Sequence, residues 1–440
     1  MITEGVEKKE PTSQDSLEVY KIRWLILGIF VLYSASNAMQ WIQYSIIANI
    51  ITEFYGVSSI AVDWTSMIYM VLYIPTVFPA SFFLDKYGLR LTVLLGSIGT
   101  CVGSWIKVGS VDPSLFWVTF LGQSIVALSQ ACILSIPAKL AAAWFGPQQV
   151  SSACSIGVFG NQLGVAIGFL IPPMIVRSGS QSEIKPQLYT LFIGNGIITS
   201  VITVLIAIFF KNGPPTAPSR AEASKSGEVS VNTNFLKSLK ALITNKNYIL
   251  LVLSYGINVG IFYAISTLLN QIVLAHYPNR ETDAGRIGLL IVFAGMIGSV
   301  ICGILLDKTR KFKETTLAVY ILSLLGMIIY TFTLNTNIVI VYIVSTFLGF
   351  SMTGLLPVGF ELASELTFPE PEGTSTGVLN ASSQLFGVIF TSLYSVLFSE
   401  LGDQWANGIM CIMLAVGVLM TAGIKADLRR QAASCDNNEE

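Results

Sequence analysis

Twelve apolar runs of about 18 residues or more govern what this 440-residue chain can fold into: 22–50, 64–84, 91–109, 115–138, 151–176, 188–210, 248–275, 286–306, 315–334, 338–360, 374–398 and 405–424. Hydrocarbon offers no partner to a backbone N–H or C=O, so a run of this length satisfies itself as a helix. The expectation is an all-α polytopic membrane protein whose twelve transmembrane helices sit in a lipid bilayer, with both termini on one side. Charged residues make up 12% of the chain, against ~25% in soluble domains. A net charge of −1 supplies no basic surface for nucleic acid, and no such partner is expected.

The first 21 residues, ending in DSLEVYK, lack the short apolar core and small-residue cleavage site of a secretory signal. Of the 25 Lys and Arg, 20 fall in tails and alternate loops on the side of the termini. Five, Lys107, Arg177, Lys185, Arg280 and Arg286, fall on the other. Positive charge stays inside, so both termini are expected in the cytosol.

FLDKYGLRLT follows the second run and LLDKTRKFKE the eighth, and their aspartates, Asp85 and Asp307, are 222 positions apart. The first and seventh runs start 226 apart. Parallel repetition of six helices results: a tail at 1–21, a six-helix bundle at 22–210, a linker at 211–247, a second bundle at 248–424 and a tail at 425–440. The linker is rich in Pro, Ser and Ala, flexible at first and then amphipathic at NFLKSLKALI. Its length lets one bundle tilt against the other. The D-K-x-G-x-R loop resembles the signature of the major facilitator superfamily. That resemblance makes Asp85, Arg90, Asp307 and Arg310 candidate gating residues, latching neighbouring helices when the inner side closes.

Inside the runs, polarity is carried by amides, hydroxyls and rings. No Lys, Arg, Asp, Glu or His is placed centrally; Lys107, Lys139, Glu361 and Glu365 lie near run ends, where long side chains reach the interface. Membrane proton relays use carboxylates and histidines, so a proton-driven pump is disfavoured, Glu361 being its one candidate. The lone His276 falls in an outer loop. Six cysteines without a CxxC spacing imply neither disulfides nor a metal cluster, and no resident cofactor is expected. No H-E-x-x-H, P-loop or nucleophile elbow appears, so catalysis is not expected either.

In the first run, NAMQWIQYS sets Asn37, Gln40, Trp41 and Tyr44 within a 100° arc of one helix face. Gln123 and Gln130 share a face of the fourth run. Tyr263, Ser266, Thr267 and Asn270 share one in the seventh, and Asn380, Gln384 and Gly387 align in the eleventh. In the fifth, Gly160, Gly164 and Gly168 form a small-residue stripe for close packing around Asn161 and Gln162, whose amides either pair between helices or reach a cavity. Any one polar face alone reads as interhelical hydrogen bonding. Several in both halves, with no charge among them, point to a shared site at the bilayer midplane. A cation could be held there by ring faces, Trp41 from one half and Tyr263 from the other, with the amide oxygens of Gln130 and Gln384 beside it.

The stretches NAMQWIQYSIIANI, DWTSMIYMVLYIPTVFPASFFLDKYGLRLT, LFWVTFLGQ, AAAWFGPQQVSSACSIGVFGNQLGVAIGFLIPP and FYAISTLLNQIVL resemble the feline leukaemia virus subgroup C receptor family, solute carrier family 49. The likeness runs from about residue 22 to 424. It implies plasma-membrane transport of choline and ethanolamine by facilitated diffusion in a rocker-switch cycle, by a monomer. It also places the family's aromatic pair on Trp41 and Tyr263, its amide pair on Gln130 and Gln384, and flanking positions on Asn37 and Met70. Tyr44, Asn161, Gln162, Asn270 and Asn380 are further cavity candidates. The alternatives are haem transport, in either direction, and a non-transporting receptor acting through the loops at 181–187 and 276–286. Haem is disfavoured by an interior without bases to meet its propionates.

Overall fold

The computed structural model describes residues 19–146, 149–216, 218, 235–370, 372–429 and 432. Among them, twelve helical spans are long and apolar enough to cross a membrane. The N-terminal half comprises α1 (Ile22–Ile42), α2 (Ala48–Tyr55), α3 (Ser59–Tyr87), α4 (Leu89–Val108), α5 (Phe116–Leu134), α6 (Ile136–Trp144), α7 (Val150–Ile175) and α8 (Gln181–Phe209). The C-terminal half follows a short α9 (Phe235–Thr244) with α10 (Lys246–His276), α11 (Glu281–Thr309), α12 (Phe312–Thr333), α13 (Ile338–Thr367), α14 (Glu372–Leu401) and α15 (Asp403–Ala422). The end where α1 begins and α15 finishes is called the near end below, the opposite one the far end. The expected amphipathic stretch is helical, as α9. Residues 219–234, 1–18 and 433–440, with most of the linker stretch expected to be flexible, most of both tails and Cys435, lie outside the described residues.

Several helices outrun their apolar cores, for local reasons. At α3 the Ser58 side chain accepts from the Ala61 N–H, an N-cap that starts the helix five residues before the apolar run and takes Asp63 into it. At α8 a capping box between Ser180 and Glu183 does the same. The fourth run divides: α5 ends at Leu134, and α6 restarts with Pro137 in its first turn, where a missing N–H costs nothing.

The first span is interrupted. After α1 the chain passes through a 3-10 turn at Ser45–Ile47 before α2 continues. Such a break frees carbonyls that lipid cannot satisfy, and side-chain amides meet two of them. Gln123 Nε2 donates to Gln40 O at 2.8 Å, and Asn270 Nδ2 to Ile46 O at 2.8 Å.

Small residues set the packing. A Cβ at Gly160, Gly164 or Gly168 would collide with Val31, Ala35 or Met39, so the stripe presses α7 onto α1. Its counterpart in the second half is α10 on α14, where Gly256 and Gly260 lie against Ser382 and Phe386. Between halves, α11 meets α7 and α14 meets α3. Gly285 and Gly288 bring α11 against Phe169 and Pro173 near the far end.

Polar ties close that end. Asn49 Nδ2 donates to Glu281 Oε1 at 3.0 Å, Ser178 Oγ to the same oxygen at 2.7 Å, and Ser66 pairs with Thr267 at 2.9 Å. Asp63 of α3 accepts from Gln271 of α10 at 2.8 Å and from Ser395 of α14 at 2.7 Å, one donor per carboxylate oxygen.

Candidate functional site

A cavity of about 70 Å³ lies between the halves. The N-terminal half lines it with Ala38 and Trp41 of α1, Tyr69 and Met70 of α3, Gln130 of α5, and Asn161, Gln162 and Val165 of α7. The C-terminal half adds Phe262 and Tyr263 of α10 and Gln384 of α14. None of these residues carries a charge.

Trp41 and Tyr263 meet edge to face across the halves, ring centroids 5.8 Å apart at 75°. Trp41 is buried against the cavity at 8% exposure, so its indole faces protein and not acyl chains. Gln384 Nε2 lies 3.4 Å from the Tyr263 hydroxyl, a long hydrogen bond. Among the described residues, Gln130 Oε1 and the Tyr69 hydroxyl are buried without a hydrogen-bond partner. Buried polar atoms are mostly partnered; fifteen side-chain atoms among the described residues are not, and these two belong to residues that line the cavity. Gly387 shapes the opposite wall, because a Cβ there would lie 2.8 Å from Met70 Sδ and 2.9 Å from the Tyr263 ring.

The structure thus brings Trp41, Met70, Gln130, Asn161, Gln162, Tyr263 and Gln384 to one cavity. Asn161 also donates to Ser34 Oγ at 3.4 Å, so it both pairs between helices and faces the space. Four other cavity candidates stand elsewhere. Asn37 Nδ2 donates to Thr100 Oγ1 and Val126 O, both at 3.0 Å, because that face of α1 is turned to α4 and α5, and its Oδ1 is buried without a partner. Tyr44 pairs with Thr119. Asn270 bridges to Ile46 and Asn49 at the far end. Asn380, half-buried one turn from Gln384, is not in the cavity lining. Tyr69 and Phe262 join the lining unannounced by the sequence; each adjoins an expected residue, Met70 or Tyr263, inside a run whose apolar pattern gives no reason to single it out.

The uncharged interior is corrected. Lys107, expected to reach the interface, is fully buried. Its ammonium donates to Gln40 Oε1 at 2.9 Å and to Gln123 Oε1, and lies 5.5 Å from the Tyr44 ring centroid. Gln40 also exchanges hydrogen bonds with Ser104, while Gln123 donates to Thr65 O at 2.9 Å besides Gln40 O. The result ties α1, α3, α4 and α5 together directly behind Trp41. Asp63 and Glu365 are buried too, at 1% and 4% exposure, so a want of buried carboxylates is no longer a reason to exclude proton coupling. His276 ends α10 and pairs with Asp403 of α15 at 2.7 Å, instead of standing in a free loop.

The repeated loop acts within one half. Asp85 pairs with Lys139 at 3.0 Å, not with Arg90, whose guanidinium donates to Ala207 O at 3.0 Å. Arg90 N–H meets Asn212 Oδ1 at 2.8 Å. These contacts tie the near ends of α3 and α4 to α6 and the segment after α8. Asp307 lies in the last turn of α11, and Arg310 caps that helix in the left-handed conformation, φ 54°.

Residues 29–391 match the family model described as Major Facilitator Superfamily. An uncharacterised MFS-type transporter of Caenorhabditis elegans is 50% identical over 434 residues, 98% of this chain and 73% of that one. The choline/ethanolamine transporter flvcr2a of Danio rerio is 49% identical over 427 residues, 97% of this chain and 91% of that one. Among solved structures, a bacterial homologue of the human lysosomal transporter Spinster superposes with a TM-score of 0.69 at 13% identity, covering 92% of this chain and 95% of its own. That last likeness is one of fold.

Proposed function

We propose, from the premise that this chain belongs to the Major Facilitator Superfamily and within it to the feline leukaemia virus subgroup C receptor family, and is a multi-pass membrane transporter, that its cargo is choline, with ethanolamine as a second substrate. The observation that carries this reading is the meeting of Trp41 and Tyr263 from opposite halves at an uncharged cavity. An ammonium group within about 6 Å of both ring centroids is attracted by both quadrupoles, worth about 2 kcal/mol or more once desolvated. The unpartnered Gln130 oxygen supplies an acceptor for the cargo's hydroxyl. Fixed carboxylates are absent from the lining, which favours release as well as capture. The names of the relatives agree with a small organic cation.

Transport is facilitated diffusion. With the far end tied by Asn49, Glu281, Asp63 and Gln271, exchange in this state runs through the near end, which the distribution of Lys and Arg assigns to the cytosol. Breaking those ties while the near ends converge gives the opposite state, so the two halves rock about the cargo. The protein works as a monomer in the plasma membrane and has no catalytic role. Haem suits the site poorly, because no basic side chain lines it to meet propionates.

The test is uptake of labelled choline by cells expressing the chain, with unlabelled ethanolamine and haem as competitors. The proposal requires saturable uptake above that of empty cells, displaced by ethanolamine and not by haem. Uptake equal to that of empty cells removes the cargo assignment.

A further inference from the structure

The seam between α7 and α11 changes character along its length. Near the far end Gly285 and Gly288 seat α11 on Phe169 and Pro173. Toward the near end the helices part, leaving a groove of about 510 Å³ walled by Phe159 and Leu163 on one side and Phe293, Ile297 and Ile301 on the other. Its walls come from opposite halves, its lining is wholly apolar, and Leu163, Phe293, Ile297 and Ile301 are each between 44% and 53% exposed.

Beyond the groove, the continuation of α11 is basic. Ile304 and Leu305 are exposed, and then come Lys308, Arg310, Lys311 and half-buried Lys313, against the acids Asp307 and Glu314. At 1.5 Å per residue, Lys308 stands about 10 Å along the axis from Ile301 and about 22 Å from Phe293. One leaflet contributes about 15 Å of hydrocarbon. A phosphate held at Lys308 therefore sends its acyl chain past Ile301 into the groove and ends it about level with Ile297, short of the glycine-packed closure.

We infer that this groove is a binding site for one acyl chain of an anionic phospholipid from the leaflet at the near end, its phosphate meeting the Lys308, Arg310 and Lys311 cluster. The groove exists because the halves have parted. A chain seated there binds this state and not one in which α7 and α11 converge along their whole length, so it shifts the population toward the near-open form. The inference concerns lipid alone and stands whatever the cargo is.

Native mass spectrometry of the full chain in detergent, titrated with phosphatidylglycerol or phosphatidylcholine, tests it. The expected result is a single-lipid adduct, favoured for phosphatidylglycerol by about fivefold for each basic contact made. Ile297→Trp, which fills the groove, should lose the adduct; Lys308→Gln with Lys311→Gln should keep an adduct but lose the headgroup preference. If Ile297→Trp fails to give a monodisperse protein, Leu163→Trp fills the same space from the facing wall. Undiminished adduct in a folded groove-filled variant overturns the inference, as does equal binding of the two lipids by the wild type. A protein dimer without bound lipid would assign the groove to a second copy and overturn it too.

Discussion

Two pairs of glutamines, Gln40 with Gln123 inside the N-terminal half and Gln130 with Gln384 across the two halves, mark two regions that treat polarity in opposite ways. Behind Trp41, Gln40 and Gln123 have their amide groups engaged by Lys107, Ser104, Ser36 O and Thr65 O. At the cavity, Gln130 keeps a bare oxygen and Gln384 makes one long bond to Tyr263. The first region uses buried polarity to knit helices around the break in the first span. The second leaves it unused, against the strong tendency of buried polar atoms to pair. The difference distinguishes these two pairs where residue type does not, since both regions are built of glutamine and aromatic rings; bare atoms elsewhere, such as Asn37 Oδ1 and Gln43 Nε2, show that a missing partner alone does not mark a site.

The largest expected effect breaks the site and spares the knot. Trp41→Ala or Tyr263→Ala should weaken choline affinity about 30-fold or more, the equivalent of ~2 kcal/mol, measured as KM for uptake by the folded protein. Lys107→Met should do the reverse. Losing the donor to two buried oxygens costs about 2 kcal/mol of stability, read as a lowered melting temperature, while KM in the folded fraction stays near the wild-type value.

Asp63→Asn probes the far-end tie. Replacing a carboxylate that accepts from two helices of the other half removes about 1 kcal/mol from the closed far end, and should increase labelling of a cysteine placed at Ser266 from the far side about fivefold. The same variant tests coupling: uniport predicts that the pH profile of uptake keeps its shape, whereas a flattened profile would give Asp63 a proton to carry. The smallest effect belongs to Gln384→Ala, about 0.5 kcal/mol, or about twofold in KM, because its one bond at the cavity is long.

Much of the molecule is legible in the chain itself. The helices arise from the incompatibility of hydrocarbon with a free backbone, so their number needs no tertiary information. Trp41 and Tyr263 stand out as rings on polar faces of two corresponding spans. What the chain alone does not supply is partnership. Asn37 and Tyr44 share an arc with Trp41, but Thr100, Val126 and Thr119 on neighbouring helices claim them. Asp63 escapes a reading by apolar runs because a run stops at a charge while a helix starts at its cap, Ser58. Lys107 defies expectation because a base in the last turn of a span usually reaches outward. Here two glutamine oxygens draw the ammonium inward.

The measurement that bears most directly on the two rings is competition against labelled choline by choline itself and by 3,3-dimethyl-1-butanol, which replaces the quaternary nitrogen with carbon and keeps shape and hydroxyl. Recognition of charge by Trp41 and Tyr263 predicts that the neutral analogue competes about 30-fold less well, and that Trp41→Ala narrows the gap. Equal competition by the two molecules would contradict it, leaving a pocket that selects for shape alone.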